Sequence, residues 1–419
     1  MKGDGMESIK SGKKIENVPE DFNPRRIKPV KREALLRIEK YAGEGACIAY
    51  ENEKVIFVRY VIPGEEVRVN IYKETKDYAI GEPLEILKPS PERINPVCPY
   101  FGLCGGCDYQ MLSYEKQIEV KKQLVLEAFR RIGQISLENI TGIIKSPEVF
   151  NYRNTETFKV NSLKKLIGFF RKDTKFIVDI SECALAMHGI NKALKSVRKQ
   201  SIFPPHNFKV RTTGDGDTVV NWILTEEYQD REVYETIRAS GKNIRFKISK
   251  DSFFQVNNSV IPLWLEKIIS FLDPDGHERI FDLYSGIGLI TLFVSYFARE
   301  TIGVEIAQSA VTDAIENKIS NAVQSNVNFI CAPVEMKLQE LGYADVIIID
   351  PPRRGMDKET LQVLRTLRPK KIIYSSCRPP TMARDIKELS DIYSIKEVVL
   401  VDMFPQTHHI EVLALLEAL

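Results

Sequence analysis

The sequence predicts an α/β protein in which a small β-barrel and a cysteine-bearing segment precede a doubly wound parallel sheet. From about residue 245, apolar runs with strand composition alternate regularly with helical segments, which is typical of such a sheet. Several short strands separated by glycine turns occupy residues 34–88 and are typical of a small OB-like barrel. Three cysteines fall within ten residues between these regions. We therefore expect three domains with different tasks.

Composition excludes several classes of protein. A chain of 419 residues is long enough for several domains. The net charge of +2 gives no global sign of a nucleic-acid binder, so any basic surface must be local. No apolar run approaches the roughly 18 residues of a membrane span. The N-terminus is polar and lacks an apolar signal core, and we therefore expect a cytoplasmic protein.

The chain divides into four parts at changes of composition. Residues 1–27 have little apolar content, and we expect a flexible leader there. A helix is predicted at residues 113–132, capped by Ser113, and is expected to pack on the C-terminal domain. The three predicted domains are the barrel (28–90), a central α+β domain (91–245) and the C-terminal α/β domain (246–419).

The cysteine-rich stretch has the spacing C-x5-C-x2-C, formed by Cys98, Cys104 and Cys107. In a reducing compartment such cysteines are metal ligands or catalytic thiols more often than disulfides. Cys183 is the candidate for a fourth ligand. Zinc ribbons usually offer two tight pairs, so the pattern favours a four-iron cluster, with zinc and free thiols as the alternatives.

The C-terminal domain is predicted to contain seven strands. They lie at residues 279–284, 301–305, 327–331, 345–350, 371–375, 396–401 and 410–416. Helices are predicted at residues 287–298, 307–324, 357–367 and 380–390.

Polar residues follow these strands where a doubly wound sheet binds its ligands. Gly286 and Gly288 allow a ligand to approach the backbone closely. The third glycine of the dinucleotide motif is missing, which favours a nucleotide-like ligand without a pyrophosphate. Glu305 ends the next strand, where a carboxylate can accept hydrogen bonds from ribose hydroxyls, and Asp350 ends the fourth.

Cys377 follows the fifth strand, and the Pro379-Pro380 pair prevents that strand from continuing. A lone cysteine is more often a buried structural thiol than a catalytic one. At this edge of the sheet, however, it faces the ligand crevice. Glu411 lies near the start of the final strand, at the end of a proline-containing turn.

Taken together, these motifs resemble known families. The glycine turn, Glu305 and Asp350 in this order resemble the class I S-adenosylmethionine methyltransferase fold. The barrel segment, with Gly43-Glu44-Gly45 followed by residues 57–67, resembles the TRAM domain, a small RNA-binding barrel. Nearly the whole chain resembles the RNA 5-methyluridine (uracil-C5) methyltransferase family, in the branch that has a TRAM domain and a four-iron cluster and methylates 23S ribosomal RNA. The motifs in family order are Cys98…Cys183, Ser252–Asn257, Asp282…Gly288, Asp350-Pro351-Pro352, Ser376-Cys377 and Phe404–Glu411.

The resemblance implies a function for each matching position. It implies a [4Fe-4S] cluster on Cys98, Cys104, Cys107 and Cys183. It implies contacts with S-adenosyl-L-methionine from Gln255, Tyr284, Glu305 and Asp350, around the pocket of Gly286 and Gly288. Cys377 would be the nucleophile that adds to C6 of uracil, and Glu411 the base that removes the C5 proton. The expected partner is RNA, bound by a monomer.

Three positions depart from the family pattern: Arg378, Leu289 and Pro333 stand where relatives usually have other residues. Three alternatives also remain open. The same chemistry can act on the T-loop uridine of transfer RNA, as in archaeal relatives. A cytosine C5 methyltransferase is disfavoured because Arg353, not a cysteine, follows Pro351-Pro352. A non-catalytic RNA-binding protein is disfavoured because both Cys377 and Glu411 are present.

Overall fold

The computed structural model describes residues 31–221, 232–249, 252–323 and 326–419. The leader predicted at residues 1–27 lies outside the described residues. Among those that are described, no helix combines the length and the apolar character needed to cross a bilayer.

The N-terminal strands close into a barrel with the order β1-β2-β3-β5-β4. Alternate residues of each strand point inward, and Leu36, Ile56 and Val69 are among those that form its apolar interior. The short strands predicted across residues 34–88 are those of this barrel. The strands are β1 (Arg32–Tyr41), β2 (Ala46–Glu51), β3 (Lys54–Arg59), β4 (Glu66–Glu74) and β5 (Tyr78–Lys88).

The middle of the chain mixes helices with short strands. The predicted helix is present and begins at its predicted cap, because Ser113 Oγ accepts a hydrogen bond from the Lys116 N–H at 3.3 Å. It ends in a π-helical turn at Phe129–Gly133. Five of the strands pair in the order β11-β10-β7-β8-β9, and β12 pairs with β13. In chain order the elements are α1 (Tyr114–Ala128), β6 (Gly142–Ile144), β7 (Thr155–Asn161), β8 (Leu166–Phe170), β9 (Ile177–Asp179), α2 (His188–Arg198), β10 (Asn207–Thr212), β11 (Thr218–Val220), β12 (Val233–Ala239) and β13 (Lys242–Ile248).

The C-terminal part is an α/β unit with apolar cores on both faces of its sheet. Helix α1 packs on one of these faces, where Ile118 and Phe129 share a core with Ile386. The elements are α3 (Ile261–Leu272), β14 (Arg279–Leu283), α4 (Leu289–Val294), β15 (Glu300–Glu305), α5 (Gln308–Ser320), β16 (Val327–Cys331), α6 (Val334–Leu341), β17 (Val346–Ile349), α7 (Lys358–Leu367), β18 (Lys371–Ser376), α8 (Pro379–Leu389), β19 (Tyr393–Val401) and β20 (Glu411–Ala418).

In the described residues this sheet has eight strands, in the order β16-β15-β14-β17-β18-β20-β19-β6. The first five are parallel, as predicted, whereas the direction of β20 departs from the predicted parallel arrangement. Strand β20 runs antiparallel to both β18 and β19. Only the loop 402–410 joins β19 to β20, and so short a connection without a helix suits antiparallel neighbours. Strand β6, from the segment assigned to the central domain, adds the eighth position beside β19.

The antiparallel direction of β20 determines the position of Glu411, the last residue of the Phe404–Glu411 motif. Because β20 runs opposite to β18, its first residue lies at the edge where the parallel strands end. Glu411 therefore reaches the ligand edge of the sheet by starting a strand, whereas Glu305, Asp350 and Cys377 reach it by ending or following one.

Candidate active site and cysteine cavity

Cys377 and Glu411 are brought together by the register of two neighbouring strands. The β18–β20 ladder ends with Ser376 opposite Val412, so Cys377 and Glu411 are the next residues on the two strands. Ser375 Oγ donates a hydrogen bond to Glu411 Oε1 at 2.8 Å. The proposed nucleophile and base thus occupy adjacent positions at one edge of the sheet.

Three acidic or thiol groups at this edge hold their protons more tightly than in water. Burial, together with the nearby charge of Asp350, raises the pKa of Glu411 well above its usual range. Asp350 is half-buried, and burial raises the pKa of its carboxyl group to about 7. Burial also raises the pKa of the Cys377 thiol, and the charge of Glu411 adds to the rise.

Arg353 supplies the positive charge of this group. Its guanidinium lowers the pKa of the Cys377 thiol and so opposes the effects of burial and of Glu411. Its Nη2 also lies 2.8 Å from His409 Nδ1. Since a guanidinium can only donate, His409 Nδ1 must be the acceptor, and burial lowers the pKa of His409 to about 3. Arg353 was not predicted as a site residue, although its position directly after Pro351-Pro352 was a usable signal.

The glycine turn after β14 forms a cradle at the same edge. The Gly286 N–H donates to Glu305 Oε2 at 3.1 Å, and the Ala307 N–H donates to Glu305 Oε1 at 2.8 Å. These bonds fix the Glu305 carboxylate and leave lone pairs for ribose hydroxyls. A side chain on Gly288 would place its Cβ 2.7 Å from Phe329 Cζ, so a glycine is required there. Tyr284 has a φ of 64°, a conformation that is rare for a residue with a Cβ.

This cradle fits S-adenosyl-L-methionine. A Cβ on Gly286 would meet nothing within 4 Å, so open space borders the turn. Two buried polar atoms beside it, Ser285 Oγ and Asp282 Oδ1, have no hydrogen-bond partner among the described residues. Buried polar groups are rarely left unpaired, and a ligand with amino and hydroxyl groups can satisfy both.

Gln255 lies in the segment before α3, apart from the cradle residues in sequence. The Asn154 amide donates to the Gln255 carbonyl oxygen at 2.8 Å and thereby anchors this segment to the central domain. Of the departures from the family pattern, Leu289 is buried in the apolar core as the first residue of α4. Pro333 is the N-cap of α6, with extended backbone angles.

One cavity of about 570 Å³ is lined by Cys98, Cys104, Cys107 and Cys183. None of them forms a disulfide. The Gln110 side chain connects two of them, because its Oε1 accepts from the Cys98 N–H at 2.9 Å and its Nε2 donates to Cys107 Sγ at 3.2 Å. The Asn191 side chain holds the backbone of Cys183 on both sides.

No group of three or more His, Cys, Asp or Glu side chains in the described ranges is placed to hold a metal ion. The four cysteines thus share one cavity, while the predicted four-iron cluster stays a prediction.

The cysteine loop is bonded directly to loop 402–410, which leads into Glu411 at the start of β20. The Asp108 and Tyr109 N–H groups both donate to the Gln406 carbonyl oxygen, at 2.9 and 3.1 Å. The buried Asp108 carboxylate accepts from the His408 N–H at 3.1 Å and lies 2.6 Å from His408 Nδ1. Asp108, the residue after Cys107, therefore helps to set the position of loop 402–410.

Comparisons with known proteins agree with this geometry. Residues 221–419 match the family model of tRNA (uracil-5-)-methyltransferases, and residues 30–84 match the TRAM domain. An RNA methyltransferase of Aquifex aeolicus is 33% identical, with 93% of this chain and 99% of that protein covered. One from Clostridium tetani is also 33% identical, over 93% of this chain and 97% of the relative.

A solved structure shares the fold over most of the chain. The tRNA (uracil-54, C5)-methyltransferase of Pyrococcus abyssi, in complex with S-adenosyl-L-homocysteine, gives a TM-score of 0.72. It is 24% identical and covers 91% of this chain and 99% of its own. With the family matches, this likeness confirms the predicted combination of a TRAM barrel and a methyltransferase domain. The chain belongs to the RNA (uracil-5-)-methyltransferase family, and it is an S-adenosylmethionine-dependent enzyme that acts on RNA.

Proposed function

We propose that this enzyme methylates C5 of one uridine through a covalent adduct between Cys377 Sγ and C6 of the base. The observation that carries the proposal is the adjacency of Cys377 and Glu411 at the ends of β18 and β20, beside the Asp350 carboxylate and the glycine cradle. These are the parts that the reaction needs in one place. Membership of the family supports the type of reaction. The register of β18 and β20 supports the choice of Cys377 and Glu411.

The chemistry follows from the weak nucleophilicity of C5. The Cys377 thiolate forms a bond to C6, and the electrons of the C5–C6 double bond move toward C5 and the O4 carbonyl. When bound, S-adenosyl-L-methionine would supply an electrophilic methyl group to C5 and be left as S-adenosyl-L-homocysteine. After C5 has gained the methyl group, Glu411 takes the C5 proton, the C5–C6 double bond reforms, and the Cys377 thiolate is expelled. Burial raises the pKa of Glu411, so its carboxylate, once ionised, is a stronger base than an exposed carboxylate.

Cofactor binding is assigned to the cradle. Glu305 would accept from the ribose hydroxyls, since its two oxygens are already oriented by the backbone of Gly286 and Ala307. Gly286, Gly288, Tyr284, Asp350 and Gln255 complete the proposed contacts. The positive sulfonium group is suited to a pocket that contains the Asp350 carboxylate.

The cysteine cavity is proposed to hold a [4Fe-4S] cluster on Cys98, Cys104, Cys107 and Cys183. The support is their common cavity and the Gln110 donor to Cys107. Methyl transfer needs no electron, so the cluster would act as a structural centre. Through Asp108 it would fix loop 402–410 and hence Glu411, which follows that loop.

The preferred substrate is 23S ribosomal RNA, on the resemblance of the motifs to that branch of the family. Transfer RNA is the second candidate, because the Pyrococcus abyssi enzyme with the same fold acts on tRNA. We also propose that the enzyme works as a monomer, because one chain contains every residue assigned to the reaction. Light scattering of the purified protein tests this last point.

The central experiment traps the adduct. RNA that contains 5-fluorouridine is incubated with the enzyme and cofactor, both as 23S ribosomal RNA and as transfer RNA. The fluorine at C5 cannot be removed as a proton, so the adduct stays on the enzyme. We expect a peptide with modified Cys377 from the 23S RNA and none from the C377A variant. An adduct on another cysteine would overturn the assignment of the nucleophile, and an adduct with transfer RNA alone would overturn the substrate.

A further inference from the structure

A groove of about 560 Å³ runs from Cys377 past the end of helix α1 to the barrel. Its three walls come from distant parts of the chain. One wall is the catalytic loop with Cys377 and Arg378, the second contains Arg131, and the third is the barrel turn at Gly43 and Glu44. The groove thus begins at the proposed nucleophile and leads away from it.

Arg378 is the arginine of this groove whose side chain is bonded to no other described residue. Its backbone is fixed, because its N–H donates to Ser376 Oγ at 3.1 Å and its carbonyl oxygen accepts from Thr381 Oγ1 at 2.9 Å. The rigid Pro379 and Pro380 follow it. Its guanidinium, in contrast, is exposed and has no hydrogen bond or ion pair with any described residue.

The other two arginines of the groove already have partners. Arg131 forms an ion pair with Glu127 at 3.0 Å, and Arg353 is bonded to His409. Glu44, on the barrel turn, is the acidic group at the far end. Among the described arginines that line the groove, Arg378 is therefore the one whose charge is unpaired, and it lies next to Cys377.

We propose that this groove binds the nucleotide next to the target uridine and that Arg378 binds its phosphate. The inference rests on the proposed function, since a base that enters the Cys377 site brings its neighbours along the strand into the groove. A guanidinium is suited to phosphate because its donors match two oxygens at once. Arg378 is then a positioning residue: it touches the backbone of the RNA and holds the uracil over Cys377. The unusual residue after the nucleophile is explained as a contact with substrate.

The first test measures binding of a short single-stranded oligouridylate by fluorescence anisotropy at several salt concentrations. Each phosphate contact on a single strand contributes about 0.7 to the slope of log affinity against log salt. We expect R378A and R378Q to lower the slope by about 0.7, and R378K to keep the slope. The matched control is R299A, an exposed arginine beside the start of β15, at the opposite edge of the sheet, which should keep both slope and affinity. An unchanged slope in folded R378A and R378Q would overturn the proposal.

The second test locates the phosphate. RNAs with one 5-fluorouridine fix the register at Cys377, and one neighbouring phosphate at a time is replaced by an uncharged methylphosphonate. In the wild-type enzyme one replacement should slow adduct formation, and in R378A that same replacement should have no further effect. Identical penalty profiles in both proteins would reject Arg378 as the ligand. Failure of the wild-type enzyme to form any adduct would instead reject the proposed function, while the salt slopes would still decide the role of the groove.

Discussion

Ser375 Oγ donates a 2.8 Å hydrogen bond to Glu411 Oε1, and both side chains are buried. The two residues lie on neighbouring antiparallel strands, two residues apart along the diagonal, so they share one face of the sheet. The hydroxyl lowers the pKa of Glu411 against the larger effect of burial. It also fixes the carboxyl group in one orientation.

The first prediction concerns this hydrogen bond. Replacing Ser375 with alanine should slow removal of the C5 proton about tenfold or more, because a hydrogen bond to a charged group contributes about 1.5–3 kcal/mol. In single-turnover reactions the methylated adduct should then accumulate, while the affinity for RNA stays unchanged. Ser375→Thr keeps the hydroxyl and should restore most of the rate. Wild-type release of the adduct in Ser375→Ala would show that the bond has no part in positioning Glu411.

The second prediction is a dependence on pH. Because the pKa of Cys377 is raised, the thiol dominates at neutral pH and the reactive thiolate increases as the pH rises. The rate of adduct formation with 5-fluorouridine RNA should therefore rise with pH. Glu411→Gln removes a negative charge that raises the pKa of Cys377, so its profile should move to lower pH.

Arg353→Gln provides the opposite test of the same electrostatics. Its guanidinium lowers the pKa of Cys377, so the profile of this variant should move to higher pH. Shifts of both variants in the same direction would contradict the arrangement of charges described here. The C377A protein supplies the background for reaction at other cysteines.

The sequence predicted the parallel strands well because they are short, largely apolar runs separated by helical segments. It did not predict the direction of β20 or the addition of β6, since these depend on partners elsewhere in the chain: Val399, for example, pairs with Gly142. Periodicity reports which residues are buried, and it does not report which strand lies beside which. Helix α6 was missed because it is short and buries only Val334 and Leu338.

The residues of the candidate site likewise divide into those that motifs predict and those that only the structure reveals. Cys377, Glu411, Asp350 and the four cysteines of the cavity stand in recognisable motifs, so the sequence alone predicts them. Ser375 and Arg353 act only through their neighbours: one bonds to a residue 36 positions away, the other to a residue 56 positions away. Such contacts appear only when the strands are aligned.

The third prediction concerns a buried ion pair between α1 and the loop before β20. Lys121 Nζ lies 2.6 Å from Asp402 Oδ1, and both side chains are fully buried. Lys121→Met leaves a buried carboxylate without its partner and should cost about 3–5 kcal/mol of unfolding free energy. Urea denaturation measures this cost.

Two further variants distinguish the contribution of the Lys121–Asp402 ion pair from the cost of replacing a lysine in general. The double variant Lys121→Met/Asp402→Leu removes both charges and should recover much of the lost stability. Lys195→Met breaks the exposed pair with Glu182 and should cost less than about 1 kcal/mol. If Lys121→Met is no more costly than Lys195→Met, the buried pair does not hold α1 to this loop.

The fourth prediction tests the cysteine cavity. Protein purified without oxygen should contain about four iron atoms and matching sulfide per chain, and its brown colour should come from the cluster. Cys107→Ser removes one proposed ligand, the one that receives the Gln110 hydrogen bond, and should lose most of the iron. The matched control is Cys331→Ser, since Cys331 is an exposed free thiol at the end of β16, outside the cavity. Iron content and visible absorbance decide the outcome without any assay of methylation. Equal loss of iron in both variants, or one zinc ion per chain in the wild-type protein, would contradict the cluster.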